Sequence, residues 1–284
     1  MADETAFGVQ RGDIWQLGRH RLMCGDAACA SDVAALMAGD DARFVFTSPP
    51  YGQQRDYTKR LTDWRGLLRA AFSNLPRNQN TQVVVNLGIW HEKGEWSLDW
   101  VDWIRDMGAL GYKRSAWMVW DKLNGAPILP SMGRPNPAHE FLFVFCAKAS
   151  PLRKTVPCKW HGKDALRKPG LKSARGRDGA VNTHVGKGIQ AFKVIDSVVR
   201  HPPEKANRTG HPAVFPVGLP LSLIPAYTDA GDVVVDVFAG TCSTLIAAER
   251  TGRTGYGMEI APEYCEIALR RWSKAYPDQL PVRC

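Results

Sequence analysis

"GDVVVDVFAGTCSTLIAAERTGRTGYGMEI", Gly231 to Ile260, is the stretch that decides the architecture. An apolar run ends at Asp236, a glycine-containing loop follows, Ser243–Gly252 has helical spacing, and a second apolar run ends at Glu259. Both runs are continuous rather than alternating, as in strands covered on two faces. Strand, helix and strand in this order make a parallel crossover unit. Asp236 closes the first strand, and Gly240 lets a ligand approach the backbone. Ser243 and Thr244 open a helix whose N–H groups point at that ligand. Glu259 falls where a carboxylate grips two ribose hydroxyls. There is no G-x-G-x-x-G and no P-loop lysine, so a phosphate cradle fits poorly. A cofactor with a ribose and an amine or carboxylate but no phosphate suits the corner, and S-adenosylmethionine is such a molecule. An ordinary strand–turn–helix satisfies the same letters.

The rhythm extends along the chain. Strand-like runs recur as RFVFT (43–47), QVVVNLG (82–88), AWMVW (116–120) and EFLFVFCA (140–147). Apolar spacing predicts helices over Asp32–Gly39, capped by Ser31 or Asp32, and over Asp63–Leu75, Ser97–Gly111 and Ala261–Tyr276. Strands alternating with helices imply an α/β fold with a mostly parallel, doubly wound sheet.

At 284 residues the chain fits one large domain, or one domain carrying an insertion. The charge is unevenly spread. Residues 151–200 hold twelve Lys/Arg against three acids, a net +9 that equals the charge of the whole chain. This stretch interrupts the strand–helix rhythm and reads as an inserted arm at 150–200 between 1–149 and 201–284. For Arg167–Gly188, order and disorder are both open. Either way a cationic surface is offered to a polyanion. Seven scattered cysteines without a C-x-x-C pair read as reduced thiols, not a zinc site. Met1–Gln10 lacks the marks of a signal peptide, and no window approaches 18 uncharged apolar residues, so a cytoplasmic protein without a membrane partner is expected.

A second corner is "ARFVFTSPPYG", Ala42–Gly52. Two consecutive prolines end any central strand, so Thr47–Gly52 is a strand tip turning sharply into a loop. It presents a small hydroxyl, Ser48, beside Tyr51.

Taken together, these motifs resemble those of DNA methyltransferases that act on exocyclic amines. "TSPPYG" resembles their D/N/S-P-P-Y/F/W motif, and "DVFAGTCST" (Asp236–Thr244) their D-P-F-x-G-S-G-T-T cofactor loop. "GHPAVFPVGL" (Gly210–Leu219) is similar to their H-P-x-x-x-P element, and "GDIWQLGRHRLMCGDA" (Gly12–Ala27) to the start of phage- and prophage-type members. The catalytic motif precedes the cofactor loop, as in the permuted β-group, whereas the protein-glutamine methyltransferases with a P-P-Y motif have the reverse order.

The resemblance implies a Rossmann-like methyltransferase fold that uses S-adenosylmethionine, with 1–149 and 201–284 catalytic and 150–200 recognising the target. It assigns Ser48, Pro49, Pro50 and Tyr51 to catalysis. It assigns Asp26, Pro212, Asp236, Phe238, Gly240, Ser243, Thr244 and Glu259 to the cofactor. Duplex DNA is the implied partner, with Lys159, Trp160, Lys163, Arg167, Lys168, Lys172, Arg175, Arg177 and Lys187 the candidate contacts. The family often dimerises, so a homodimer is among the expectations. A cytoplasmic setting in a bacterium or phage is implied, alone or beside a separate restriction nuclease. There are departures: Val237 stands for proline, Thr241-Cys242 for Ser-Gly, and Phe215 where many relatives have lysine.

The chemistry needs a sulfonium donor, an amine lifted out of the duplex, and fixed acceptors that make its lone pair available. Ser48 Oγ and the Pro49 carbonyl suit that task, the prolines keep them rigid, and Tyr51 can stack on the extruded base. No covalent nucleophile is needed. Pro157-Cys158 resembles the cytosine-C5 nucleophile but lies in the basic segment, without an E-N-V partner. Asn86 and Asp121 either shape the base pocket or cap strand ends, and His139-Glu140 precedes a buried strand in which a structural histidine is expected. Serine before P-P-Y is commoner in cytosine-N4 enzymes. The N-terminal resemblance is to members that mostly modify adenine. The expected target is adenine N6, with cytosine N4 the alternative, and a non-catalytic DNA-binding relative or an RNA methyltransferase stands behind both.

Overall fold

The computed structural model describes residues 7–50, 63–75, 77–92, 95–123, 135–159, 171–185, 191–204 and 214–284. The chain begins with a hairpin, β1 (Ile14–Leu17) and β2 (His20–Cys24), then α1 (Ala30–Met37) and β3 (Ala42–Thr47). Next come α2 (Trp64–Asn74), β4 (Arg77–Leu87), the short pair β5 (His91–Glu92) and β6 (Glu95–Trp96), and α3 (Asp99–Ala109). β7 (Lys113–Asp121) and β8 (His139–Cys146) lead into the basic segment. That segment carries β9 (Val156–Pro157), β10 (Leu171–Arg175), β11 (Val181–Val185), β12 (Phe192–Lys193) and β13 (Val198–Arg200). The last part is α4 (Gly218–Tyr227), β14 (Val233–Asp236), α5 (Ser243–Arg250), β15 (Thr254–Glu259), α6 (Pro262–Ala275) and β16 (Val282–Arg283).

Ten strands form one sheet in the order β13-β7-β8-β4-β3-β14-β15-β2-β1-β16. The central five, β4 to β2, are mutually parallel; β8 and β1 run against them. This is the doubly wound α/β sheet the alternation implies. Adjacent residues of β3 bury on opposite faces: Phe44 and Phe46 join the core under α4, α5 and α6, while Val45 joins the core under α1, α2 and α3. That explains why the strand runs are apolar at every position.

Helix starts show where local reading works and where it fails. The helix expected over Asp63–Leu75 spans Trp64–Asn74, and Asp63 caps it, its side chain accepting from Gly66 N at 2.7 Å. α1, by contrast, starts at Ala30 with Cys29 as the capping position, not Ser31 or Asp32. Asp32 lies in its first turn and accepts the Asp26 N–H at 2.8 Å, a donor the β2–α1 turn would leave unsatisfied. In the basic segment, β10 and β11 pair as an antiparallel hairpin from Leu171↔Val185 to Arg175↔Val181. β13 pairs in parallel with β7, tying the end of that segment into the main sheet.

Under α3, Trp103 is fully buried and meets Phe143 and Phe145 edge-on at 5.9 and 5.4 Å. Trp103→Ala is expected to lower the free energy of unfolding by about 3–5 kcal/mol in urea titration, through lost burial and the cavity left behind.

Candidate active site

The C-terminal ends of the parallel strands converge on a switch in winding direction. From β3 the chain crosses through α2 to β4 on one side, and from β14 through α5 to β15 on the other. A crevice opens outside the strand ends at such a point. Asp236, fully buried at the tip of β14, spans it. Its Oδ1 accepts from Thr47 Oγ1 at 2.7 Å and from Phe238 N at 3.2 Å, and its Oδ2 accepts from Thr244 Oγ1 at 2.6 Å. Burial pushes its pKa up to about 6, against the pull of these donors. Asp236 and Thr244 thus lie beneath the crevice as a tether between the two corners, rather than on its surface.

The loop above the tether is held from behind. Arg271 of α6 donates from Nη1 to Thr241 Oγ1 and Ser243 Oγ, both at 2.8 Å, and to the Thr241 carbonyl at 3.0 Å. Ser243 Oγ donates in turn to the Phe215 carbonyl at 3.0 Å. Ser243 therefore sits at the loop with its hydroxyl engaged in holding it. Nothing in the spacing of α6 singles out Arg271 from its neighbour Arg270. Gly240 has φ +49° and Cys242, at the head of α5, has φ +63°. The left-handed conformation costs a non-glycine residue about 1 kcal/mol, the physical reason for glycine at the corresponding place in the motif. The Cys242 side chain packs into the core under α4–α6, and burial pushes its thiol pKa up.

Glu259 ends β15 beside that loop. Its carboxylate, nearly buried, accepts from Gly240 N through Oε2 and from Ala261 N through Oε1, each at 3.0 Å. Burial pushes it up to about 7. The Gly25 N–H donates to the Glu259 carbonyl at 3.0 Å, which brings Asp26 to the same rim. Asp26 and Phe238 are half-buried. A buried carboxylate met by backbone amides, flanked by an aromatic ring and a second carboxylate, fits a molecule that brings hydroxyl and amine donors. Pro212 lies outside the described residues.

On the other side, Ser48 is half-buried, Pro49 is buried, and the Pro50 carbonyl accepts from Trp64 Nε1 at 2.6 Å. Tyr51 lies outside the described residues. Asn86 Nδ2 donates to Ser48 Oγ at 3.3 Å and to Glu140 Oε2 at 2.7 Å, and Lys122 Nζ pairs with Glu140 Oε1 at 2.9 Å. The sequence reading named Asn86 for the base pocket or a strand-end cap, and gave Glu140 no role beside His139. The signal of Glu140 was an acid with the strand parity of Leu142 and Val144, both buried. Asp121 instead accepts from Leu123 N at 2.8 Å and faces Arg200 at 3.4 Å, as a strand-end cap. His139 is exposed.

In the basic segment Lys159, Arg175 and Arg177 are exposed. Lys172 is placed by its backbone in β10, and Trp160, Lys163, Arg167, Lys168 and Lys187 lie outside the described residues. Among the described residues no cluster of three or more metal-ligating side chains occurs, and no helix is long and apolar enough to cross a membrane. A raised carboxyl pKa means that the folded state holds a proton the unfolded chain has lost. Stability from Glu259 is therefore complete below pH 4.5 and fades as pH rises to about 7. Melting of the ligand-free protein across that window should show it, at up to about 1.4 kcal/mol per pH unit, and Glu259→Gln should flatten this component.

The similarities to known proteins follow the same geometry. The type II beta methyltransferase M.BslI of Bacillus sp. (strain NEB-606) is 22% identical over 285 residues, covering 89% of this chain, which spans only 28% of that protein's length. The solved cytosine-N4-specific PvuII DNA methyltransferase superposes with TM-score 0.57 at 18% identity, over 92% of this chain and 95% of its own. The M1.HpyAVI–SAM complex superposes with TM-score 0.57 at 18% identity, over 88% of this chain and 97% of its own. The family model described as DNA methylase matches residues 42–270, taking in the β3 corner, the Asp236 tether and Glu259, and the chain belongs to that N6/N4 DNA methylase family.

Proposed function

We propose that the chain transfers a methyl group from S-adenosylmethionine to the exocyclic amine of a base turned out of duplex DNA. The observation that carries this reading is the Asp236 tether. It holds a P-P corner with a hydroxyl acceptor beside a loop and carboxylate suited to a ribose-bearing cofactor. The family and the fold neighbours support it; M1.HpyAVI was solved with SAM.

Glu259 would hold the ribose hydroxyls, Asp26 and Phe238 the adenine, and the backbone of 237–242 the methionine part. Bound there, the cofactor supplies an electrophilic methyl group. The protein's own part is orientation. Ser48 Oγ and the Pro49 carbonyl accept the amine's N–H groups, favouring a pyramidal nitrogen whose lone pair faces the donor, and the prolines hold these acceptors in place before substrate arrives. Tyr51 stacks on the extruded base, a contact of about 1–3 kcal/mol. Exposed Arg175 and Arg177 on the β10–β11 hairpin, with Lys159, follow the phosphate backbone, and 150–200 acts as the recognition segment.

For the base, adenine N6 is the reading drawn from the N-terminal resemblance. Cytosine N4 is favoured by one specific observation: the acceptor position carries the hydroxyl of Ser48 rather than a carboxylate or amide. Methylating duplex DNA of diverse sequence with labelled cofactor and identifying the modified nucleoside decides between them. N4-methylcytosine as sole product removes the adenine reading, and cofactor binding without transfer to any duplex removes the enzymatic one.

Two further outcomes are expected. Tyr51→Ala should lower turnover at least about tenfold and leave cofactor affinity nearly unchanged, as measured by single-turnover kinetics and calorimetry. Cofactor affinity should weaken as pH falls below about 7, because ribose hydroxyls donate to the ionised form of Glu259. Calorimetry across pH 5.5–8 should therefore show proton release on binding, lost in Glu259→Gln.

A further inference from the structure

Pro49 and Pro50 have no N–H, so the only backbone polar groups they offer are their carbonyls. Their rings lock φ, and the freedom left to the corner lies in the two ψ angles. With the Pro49 carbonyl given to the target amine, the Pro50 carbonyl is the handle that remains. Trp64, the first residue of α2, takes it, donating from Nε1 at 2.6 Å.

The indole has a fixed place from which to donate. Trp64 is 6% exposed, and its ring is in T-shaped contact with Trp90 at 5.0 Å and Trp103 at 6.2 Å. The Asp63 cap holds the turn of α2 on which it stands. Trp100 and Trp103 belong to the same aromatic cluster, and each buries its Nε1–H without an acceptor among the described residues. Packing here does not demand that an indole N–H be satisfied. Trp64 differs because its nitrogen faces the corner.

The corner is thereby fastened at both ends. Thr47 donates its hydroxyl to Asp236 at 2.7 Å, and the Pro50 carbonyl accepts from Trp64. Asp236 sets how far the corner lies from the cofactor loop. The bond at Pro50 restrains the ψ angles beyond Ser48, and so the direction of the Pro49 carbonyl. We propose that Trp64 is a positioning residue for methyl transfer, whose indole N–H holds the Pro50 carbonyl and so aims the Pro49 carbonyl at the target amine. This role rests on the reading of the corner as the amine's acceptor, and Trp64 itself touches neither base nor cofactor.

Two replacements at position 64 test it. Trp64→Phe removes the donor and part of the ring, and benzothienylalanine keeps the ring's shape while sulfur replaces the N–H. In both, kcat should fall at least about tenfold, with cofactor Kd and the KM for DNA within about threefold of the parent. Trp103→Phe is the control: it should lower the melting temperature yet keep kcat within about threefold, assayed well below melting. Unchanged kcat with benzothienylalanine overturns the proposal. So does a loss that tracks cofactor affinity, or an equal loss of kcat in Trp103→Phe. Should Trp64→Phe fail to fold, the isostere of the same shape decides alone.

The indole proton of Trp64 gives a readout independent of turnover. Identified by its loss in Trp64→Phe, it should resonate downfield of the indole protons of Trp100 and Trp103 and exchange more slowly with solvent. A Trp64 proton without that shift overturns the proposal even if the enzyme is active. A parent that shows the shift and methylates no duplex refutes the functional reading, and the positioning role with it, and leaves only the Trp64–Pro50 bond standing.

Discussion

The buried carboxylate of Asp236 is the constraint on which the crevice depends. It sits where the sheet changes winding direction, and its two oxygens draw in Thr47 from the strand on one side and Thr244 from the helix on the other. A buried carboxylate is unfavourable unless its acceptors are satisfied. The side chains that satisfy it belong to the two segments whose separation matters most. β3 cannot drift from the β14–α5 loop without leaving these acceptors unmet. One satisfied polar group therefore stabilises the fold locally and sets the distance between the two corners.

The rest of the site divides support from contact. Arg271 fastens the loop from the far side through Thr241 and Ser243, and Cys242 turns its side chain into the core. The loop is rigid because its polar side chains point inward, which leaves its backbone to face the crevice. Glu259 is the counterpart. It receives backbone amides only, is nearly desolvated, and is held close to neutral pH in its tendency to ionise.

The charge of the chain is kept apart from this machinery. Arg153 pairs with Asp229 and Arg200 with Asp121 where the basic segment meets the fold, and Lys193 pairs with Asp196 within the segment. Arg175 and Arg177 on the β10–β11 hairpin stay exposed. β13 binds the end of the segment to β7, at the same end of the sheet as the Ser48 corner. The exposed positive charge is thus joined to the strand-end side of the sheet and kept out of the core.

By itself the sequence determined the alternation of strands and helices, the doubly wound class, the two glycine- and proline-bearing corners, and the segregation of positive charge. These are local or compositional properties: continuous apolar runs, turn residues, and letters within ten or so positions of one another. Motif order was legible for the same reason. The tertiary structure decided what each polar group faces. Asp236 reads as a ligand contact, and only the packed sheet shows its carboxylate fully buried on Thr47 and Thr244, which meet when β3 and β14 pair. Arg271 and Glu140 carry no motif at all. They matter through residues far away in the chain, Thr241 and Asn86, and such pairings form only when the sheet and its helices are packed.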